Sequence, residues 1–192
     1  MKLSFVIPAY NEESLIGNCL DSVLKQTKKF KEDVEIIVVN NASTDKTKEV
    51  ALSFKGVTIV DEPQKGIVHA RQAGFLASTG DLIANIDSDV ILTPGWVEKV
   101  IDEFSKHKEL MALSGPYVFY DLSKGYNILV RAYYYAWFLS HIINQYIFHT
   151  DAMLQGGNFI LRRSALQKIG GFDTSIAFYG EDADIARRIQ KI

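Results

Sequence analysis

The sequence predicts an α/β fold: a single domain built on a mainly parallel sheet covered by helices on both faces. Three observations predict it. Short apolar, β-branched runs alternate with segments of helical periodicity through the first half of the chain. Those runs are continuously apolar, as strands buried on both faces are. Each is closed by a cluster of turn or cap residues, and strand–helix–strand units of this kind assemble into parallel sheets. With 192 residues, 47% of them apolar, the chain suits one domain with a sizeable core.

The elements follow in order. The run 3–7 is a first strand, stopped by Pro8. Leu15, Ile16, Cys19, Leu20, Val23 and Leu24 then recur at helical spacing and define one apolar face. Asn11 is the expected cap of that helix, with Glu12 and Glu13 in a first turn where the helix dipole favours anions. A second strand spans 35–39. Ser43-Thr44-Asp45 opens a second helix, 57–60 is a third strand, and a helix at 68–78 precedes the strand 82–86. Thr93-Pro94 starts the next helix, whose apolar face is Val97, Val100, Ile101 and Phe104. After Leu110 strands are expected at 111–120 and 152–162, with Gly156-Gly157 allowing close backbone approach. Between them, 126–148 is strongly apolar and aromatic. Arg131, His141, Asn144 and Gln145 interrupt it, so it is expected as a buried or interface-lying helical pair rather than a bilayer span.

Composition removes several classes of function. A net charge of −2 offers no electrostatic argument for a nucleic-acid partner. Cys19, the one cysteine, excludes a disulfide framework and a cysteine zinc site, and its place on an apolar face makes it a packing residue. The N-terminal apolar run is too short for a signal peptide and lacks a small-residue cleavage site, so a cytoplasmic location is expected. His69, His107, His141 and His149 share no metal-ligand spacing. Arg162-Arg163 reads equally as a phosphate contact or as the prelude to a helix at Ser164. Lys28-Lys29 with Lys31 reads as a solvated loop.

Three polar segments, 8–12, 40–45 and 87–89, lie immediately after strands. In parallel sheets ligands bind outside the carboxyl ends of the strands, so these segments converge on one binding edge. The sharpest is Asp87-Ser88-Asp89. Two carboxylates one residue apart repel unless a cation lies between them, and a hard divalent ion bridging a diphosphate would supply it. The alternative is a turn closing the strand, since Asp and Ser are common turn residues.

Taken together, the motifs resemble those of the family 2 glycosyltransferases. Val6-Ile7-Pro8-Ala9-Tyr10-Asn11-Glu12 is similar to that family's opening strand and loop, and Val38-Val39-Asn40-Asn41-Ala42-Ser43-Thr44-Asp45 to its second nucleotide-binding loop. Gly66 with His69-Ala70-Arg71-Gln72-Ala73-Gly74 resembles its Gly-x-x-x-Ala-Arg-Asn-x-Gly segment. Asp87-Ser88-Asp89 falls at its Asp-x-Asp motif, and Gly157-Asn158-Phe159, Arg162-Arg163, Gly170-Gly171-Phe172-Asp173 and Glu181-Asp182 follow in the family's order.

The resemblance implies a GT-A-like, Rossmann-type sheet and inverting transfer of a sugar from a nucleotide-diphosphate sugar to an acceptor. Residues 1–110 would form the donor half and 111–192 the acceptor half. Asp89 would bind Mg²⁺ or Mn²⁺ directly. Asp87 would serve the donor's ribose and, directly or through water, the metal, while Ser88 shapes the turn. The metal would act as a Lewis acid on the leaving diphosphate. No third protein ligand is legible, which suits ions that keep waters and use substrate phosphates.

Asp182 would be the base that takes the acceptor's proton, and one base with direct displacement implies inversion. Glu181 would orient the site. The plain alternative for this acidic pair is a first turn satisfying the helix dipole. By the same resemblance Pro8 and Tyr10 wall the base, Glu12 lies near the ribose, Gly157 belongs to the substrate site, and Arg71 holds a phosphate or the base edge. Asn40-Asn41 departs from the Asp-Asp of many relatives. An amide at Asn41 both donates and accepts, which weakens the inference of a uridine donor; Gln72 for the commoner Asn is a milder departure.

The aromatic stretch 126–148 points to a saccharide or lipid-linked acceptor, and to peripheral contact with the inner face of the plasma membrane. A nucleotidyltransferase on a related fold would need a basic Gly-rich loop after the first strand, where Pro8–Glu12 is acidic. A silent nucleotide-sugar or lipid-binding module would not need Asp87, Asp89 and Asp182 together. The chain stops barely three turns after Glu181, where family members generally continue.

Overall fold

The structure is a computed structural model that describes residues 1–30, 33–117, 123–143, 154–177 and 180–192. Its central strand, β1 (Leu3–Ala9), is buried at all seven positions because parallel strands flank it on both sides: β2 (Val34–Asn41) and β4 (Leu82–Ile86). β3 (Val57–Glu62) lies outside β2, also parallel. Beyond β4 the direction reverses. β6 (Asn158–Arg162) is antiparallel to β4, and the short β5 (Ala112–Ser114) is antiparallel to β6. The six strands run β3-β2-β1-β4-β6-β5. The chain therefore leaves β1 toward β2 and β3, then returns to its other side at β4. That crevice, between the carboxyl ends of β1 and β4, is where doubly wound sheets bind ligands.

Alternation along the strands divides the core in two. Leu3, Phe5 and Ile7 of β1 and Leu82, Ala84 and Ile86 of β4 face α1 (Ile16–Thr27) and α4 (Trp96–Lys106), through Ile16, Cys19 and Leu20 and through Val97, Val100 and Phe104. Val6, Ile37, Val39 and Ile83 face the opposite way, toward α3 (Ile67–Ala77), α6 (Arg163–Lys168) and α7 (Glu181–Gln190). Gly74 lets α3 lie close on the sheet: a methyl group there would collide with Val6 and stand 3.1 Å from Val39.

Several elements differ from the sequence expectation. The first helix begins at Ile16, with Leu15 at its cap position, so Asn11 is not its cap and Glu12 and Glu13 precede its first turn. Asn11 instead takes a left-handed conformation (φ 56°), and its side-chain oxygen accepts the Thr44 N–H at 2.8 Å. A tertiary contact to the second loop has replaced a local cap. α2 (Thr47–Leu52) starts two residues past the expected opening, where Asp45 Oδ1 accepts the Thr47 N–H at 3.0 Å. α4 begins at Trp96 after a left-handed Gly95. The long strands expected at 111–120 and 152–162 reduce to β5 and β6, with 118–120 and 152–153 outside the described residues.

Of the buried or interface-lying helical pair expected at 126–148, the structure describes one helix, α5 (Lys124–Ile143); 144–148 lie outside the described residues. Tyr126, Ile128, Leu129, Tyr133, Tyr135 and Phe138 on it are each more than half exposed. Among the described residues no helix is long and apolar enough to cross a membrane. Arg162 and Arg163 are structural. Arg162 Nε donates to the Leu110 carbonyl at 3.0 Å, and Arg163 Nη2 to Ser78 Oγ at 2.6 Å.

Candidate active site

Two loops build one wall of the crevice, and hydrogen bonds interlock them. After β1, the Asn11 N–H donates to Ser43 Oγ (3.2 Å), the Glu12 N–H to Thr47 Oγ1 (2.7 Å) and the Glu13 N–H to Asp45 Oδ2 (3.1 Å). In return the Lys46 N–H donates to Glu13 Oε2 at 2.8 Å. The loops after β1 and β2 thus form one rigid ledge. Pro8, Tyr10 and Glu12 face the cleft from it.

Asn41, at the end of β2, is buried and also lines the cleft. Its amide donates to the carbonyls of Glu62 (3.1 Å) and Gln64 (2.7 Å), and its oxygen accepts the Gly66 N–H at 2.8 Å. These bonds tie the end of β3 and the loop before α3 to β2, so Asn41 shapes that part of the cleft wall.

β4 delivers Asp87, Ser88 and Asp89 to the middle of the same cleft, and α7 delivers Glu181 and Asp182 to its far side. The cleft measures about 840 Å³. Arg71, on α3, joins the two sides. It is 1% exposed, with Nη2 3.0 Å from Asp87 Oδ1 and Nη1 in a close hydrogen bond with Glu181 Oε1. Its guanidinium lies 4.9 Å over the Phe159 ring. Arg71 is therefore committed to two carboxylates at the cleft wall.

Gly156 and Gly157, leading into β6, lie between the two acidic groups. The Asp87 N–H donates to the Gly157 carbonyl at 3.0 Å. A side chain at Gly157, which is left-handed (φ 76°), would collide with the Asp87 carboxylate and the Tyr117 hydroxyl. A methyl at Gly156 would stand 3.2 Å from Asp182 Oδ2. Glycine at 157 is what lets Asp87 approach this stretch of backbone, and Asp182 lies close to it at Gly156. The Tyr117 hydroxyl donates to the Gly156 carbonyl. Gly180, also left-handed (φ 95°), turns the chain into α7 and sets Asp182 at its first turn, where Asp182 Oδ1 accepts the Ala183 N–H at 2.8 Å. A second cleft of about 650 Å³ opens beside Asp87 and Asp89, between Leu15, Ile91, Trp96, Lys99 and Tyr117.

The electrostatics are those of crowded acids. Burial raises the Glu12 pKa, and the charges of Asp89, Asp45 and Asp87 raise it further. Burial also raises that of Asp87; Arg71 opposes the shift, while Asp89 and Glu181 add to it. Burial, then Asp89 and Asp87, push the Cys19 thiol up to about 12, so it packs beneath the site as a neutral thiol. The Tyr117 phenol is raised by burial and the same two carboxylates and remains a donor. Arg71 offsets the charge of Asp87 and Glu181 but not that of Asp89, and among the described residues no group of three or more acidic, His or Cys side chains is placed to hold a metal. The hard oxygen donors of Asp87 and Asp89 alone suit an ion such as Mg²⁺ or Mn²⁺ that keeps waters and takes substrate oxygens.

The sequence-predicted residues Pro8, Tyr10, Glu12, Asn41, Arg71, Asp87, Ser88, Asp89, Glu181 and Asp182 all line this one cleft, and Gly157 stands against Asp87. Sequence reasoning missed Lys65, which lies over Tyr10, and Tyr117. Tyr117 was hidden inside a presumed strand. Lys65 precedes Gly66, the one local hint that its backbone enters the site.

Comparison with known proteins agrees with this geometry. The family model described as "Glycosyl transferase family 2" matches residues 4–170. The chondroitin synthase of Pasteurella multocida is 39% identical over 112 residues, 56% of this chain and 11% of that protein. A glucosyl-dolichyl phosphate glucuronosyltransferase of Haloferax volcanii is 24% identical over 189 residues, 94% of this chain and 59% of the relative. The mannosyltransferase PcManGT of Pyrobaculum calidifontis, solved with GDP-Man and Mn²⁺, superposes with a TM-score of 0.76 at 22% identity, over 98% of this chain and 51% of that one. The chain thus spans less than two thirds of the length of each. Its sheet is that of the GT-A glycosyltransferases, and with the family model covering most of its length the chain belongs to glycosyltransferase family 2.

Proposed function

We propose that this domain transfers a sugar from a nucleotide-diphosphate sugar to an acceptor hydroxyl or phosphate, with metal assistance and inversion at the anomeric carbon. The observation that carries the reading is the placing of Asp182 across Gly156-Gly157 from Asp87, in the cleft that also holds Asp89. The interlocked loops at Pro8, Tyr10 and Glu12 receive the base and ribose. Asp89, with Asp87, holds Mg²⁺ or Mn²⁺, which when bound neutralises charge on the leaving diphosphate. The Mn²⁺ and GDP-Man of PcManGT support a divalent ion in this role.

Asp182 takes the proton of an acceptor hydroxyl as its oxygen attacks the anomeric carbon. The bond to the diphosphate breaks on the opposite face, and configuration inverts. Glu181, paired with Arg71, orients the first turn of α7. Sugar transfer assayed with Mn²⁺ tests this: Asp182→Asn is expected to lose transfer by at least about 10²-fold while nucleotide binding persists. Full activity in that variant would remove Asp182 as the base.

Residues 111–192 are proposed as the acceptor half, and the acceptor as saccharide or lipid-linked. The exposed Tyr133, Tyr135 and Phe138 of α5 support contact with a membrane surface, and the name of the Haloferax relative supports a lipid-linked acceptor. The location we propose is cytoplasmic, with this contact peripheral at the inner face of the plasma membrane. Co-sedimentation with anionic phospholipid vesicles is expected, and its loss when these three residues are changed to Ser. Absence of binding by the unaltered chain would overturn the membrane contact.

A further inference from the structure

The second cleft, of about 650 Å³, shares Asp87 and Asp89 with the first and runs to the starts of α1 and α4 through Leu15 and Trp96. Its apolar walls stay in contact with water. Leu15 and Ile91 are each more than a third exposed. The Trp96 ring, backed by Phe5 at 5.5 Å between centres, lines the cleft together with Tyr117. Aromatic walls with a few polar groups between them are the lining of a ligand site, and they suit the C–H faces of a sugar ring.

Two polar groups on these walls lack partners. Asn158, at the start of β6, lines the cleft at 9% exposure, and its side-chain oxygen is buried with no hydrogen-bond partner among the described residues. Buried polar atoms are rarely left unpaired, and a ligand hydroxyl would supply the missing donor. Lys99, one turn after Trp96 and on the same face of α4, is exposed and is the one cation lining this cleft among the described residues. It enters no described ion pair. The acids one turn further along α4 turn elsewhere, Asp102 to Lys106 at 2.5 Å and Glu103 to His107 at 4.0 Å. The cleft is therefore polarised, with carboxylates where it meets the donor cleft and an ammonium on the α4 wall.

We propose that the second cleft holds a sugar unit of the acceptor that carries an acidic group, a carboxylate or a phosphate, with the ring against Trp96 and Tyr117 and the acidic group on Lys99. The polarity of the cleft orients such a ligand. Asp87 and Asp89 repel its anion and accept from its hydroxyls, so the anion turns to Lys99 and the hydroxyls to the side shared with the donor cleft. This inference rests on the sugar-transfer reading of the domain and adds the chemical class of the acceptor and the residues that select it.

Trp96 and Trp137 are the two tryptophans of the chain, so in Trp137→Phe the fluorescence of Trp96 reports this cleft. Titration of that protein with methyl β-glucuronide, glucose 6-phosphate and methyl β-glucoside compares a carboxylate, a phosphate and no charge on one kind of ring. At least one acidic sugar is expected to bind about threefold to tenfold tighter than the glucoside, the worth of one charge-assisted contact at a partly exposed site, and which of the two does so names the acidic group. Lys99→Met, which keeps the apolar stem of an exposed residue, is expected to bring the acidic sugars level with the glucoside. Equal binding of all three, a preference that survives Lys99→Met, or no response of Trp96 to any of them overturns the proposal. Calorimetric titration of UDP and GDP with Mn²⁺ into the same two proteins keeps the two readings apart. Nucleotide binding unaffected by Lys99→Met is expected, and it leaves the sugar-transfer reading standing whatever the sugars do. Binding of neither nucleotide would overturn that reading in its own right.

Discussion

Arg71 illustrates how much one side chain decides here. By resemblance Arg71 would hold a phosphate or the base edge, while an exposed helix Arg is commonly a solvated residue; in the fold it is buried between Asp87 and Glu181. Its fork reaches two carboxylates from segments 94 residues apart in sequence, by their numbering, which a lysine's single ammonium reproduces only in part. Arg71→Met is expected to cost about 2–4 kcal/mol in urea unfolding, because it leaves two partly buried acids without their cation. The figure sits below that of a fully enclosed pair since the Asp87 side chain keeps 39% of its exposure. Arg71→Lys is expected to recover part of the loss. Asn41 follows the same logic: its identity drew attention as a change in base recognition, and its three hydrogen bonds instead make it the tie of the β3–α3 loop.

At the scale of elements, the amino end of the sheet is held as deliberately as the carboxyl end. Glu35 of β2 accepts hydrogen bonds from Ser4 of β1 (2.5 Å) and from the Thr79 and Gly80 N–H groups that lead into β4 (2.5 and 3.1 Å), and pairs with Lys2 at 3.1 Å. Burial alone would raise its pKa; the bonds from Ser4, Thr79 and Lys2 outweigh burial and hold it down to about 2. A carboxylate depressed from an ordinary 4.5 stabilises the fold fully above that value, and the contribution disappears as pH falls toward 2. At full value the shift would correspond to about 3 kcal/mol, and solvent screening at this partly exposed site brings it to about 1–2 kcal/mol. Glu35→Gln is expected to lower stability by about that much at pH 7, and to flatten the fall in stability between pH 4.5 and 2. Urea unfolding at a series of pH values measures both. The misplaced start of α1 belongs to this scale too. Asn11 has the chemistry of a cap, but bonding Thr44 joins two loops, and a local signal cannot report a partner 33 residues away.

Across the whole molecule, the site exists because the chain crosses from one side of β1 to the other. That crossing puts the loops after β1 and β2 on one side of the crevice and Asp87-Ser88-Asp89 on the other, with α7 closing over them. The parallel half of the sheet was legible because strands buried on both faces carry unbroken apolar runs. The antiparallel half was read only in outline: β5 and β6 fall inside the strands expected at 111–120 and 152–162, but their bounds and their reversed direction were not legible, because pairing direction is set by neighbours distant in sequence. α5 was legible as apolar and helical; of the two expectations for it, buried or interface-lying, its exposed aromatics exclude the first, since hydrophobicity alone does not name what covers a surface.

The sequence by itself determined the α/β class, the sheet edge that carries the cleft and the acids that line it, because strand periodicity and motif order are local properties of the chain. Tertiary structure alone decided which groups remain available to a ligand. Arg71 is taken up by Asp87 and Glu181, Asn41 by loop carbonyls, and Lys65 is left over Tyr10. The physical reason is that a side chain's partners are chosen by burial and by neighbours distant in sequence, and no local pattern encodes either.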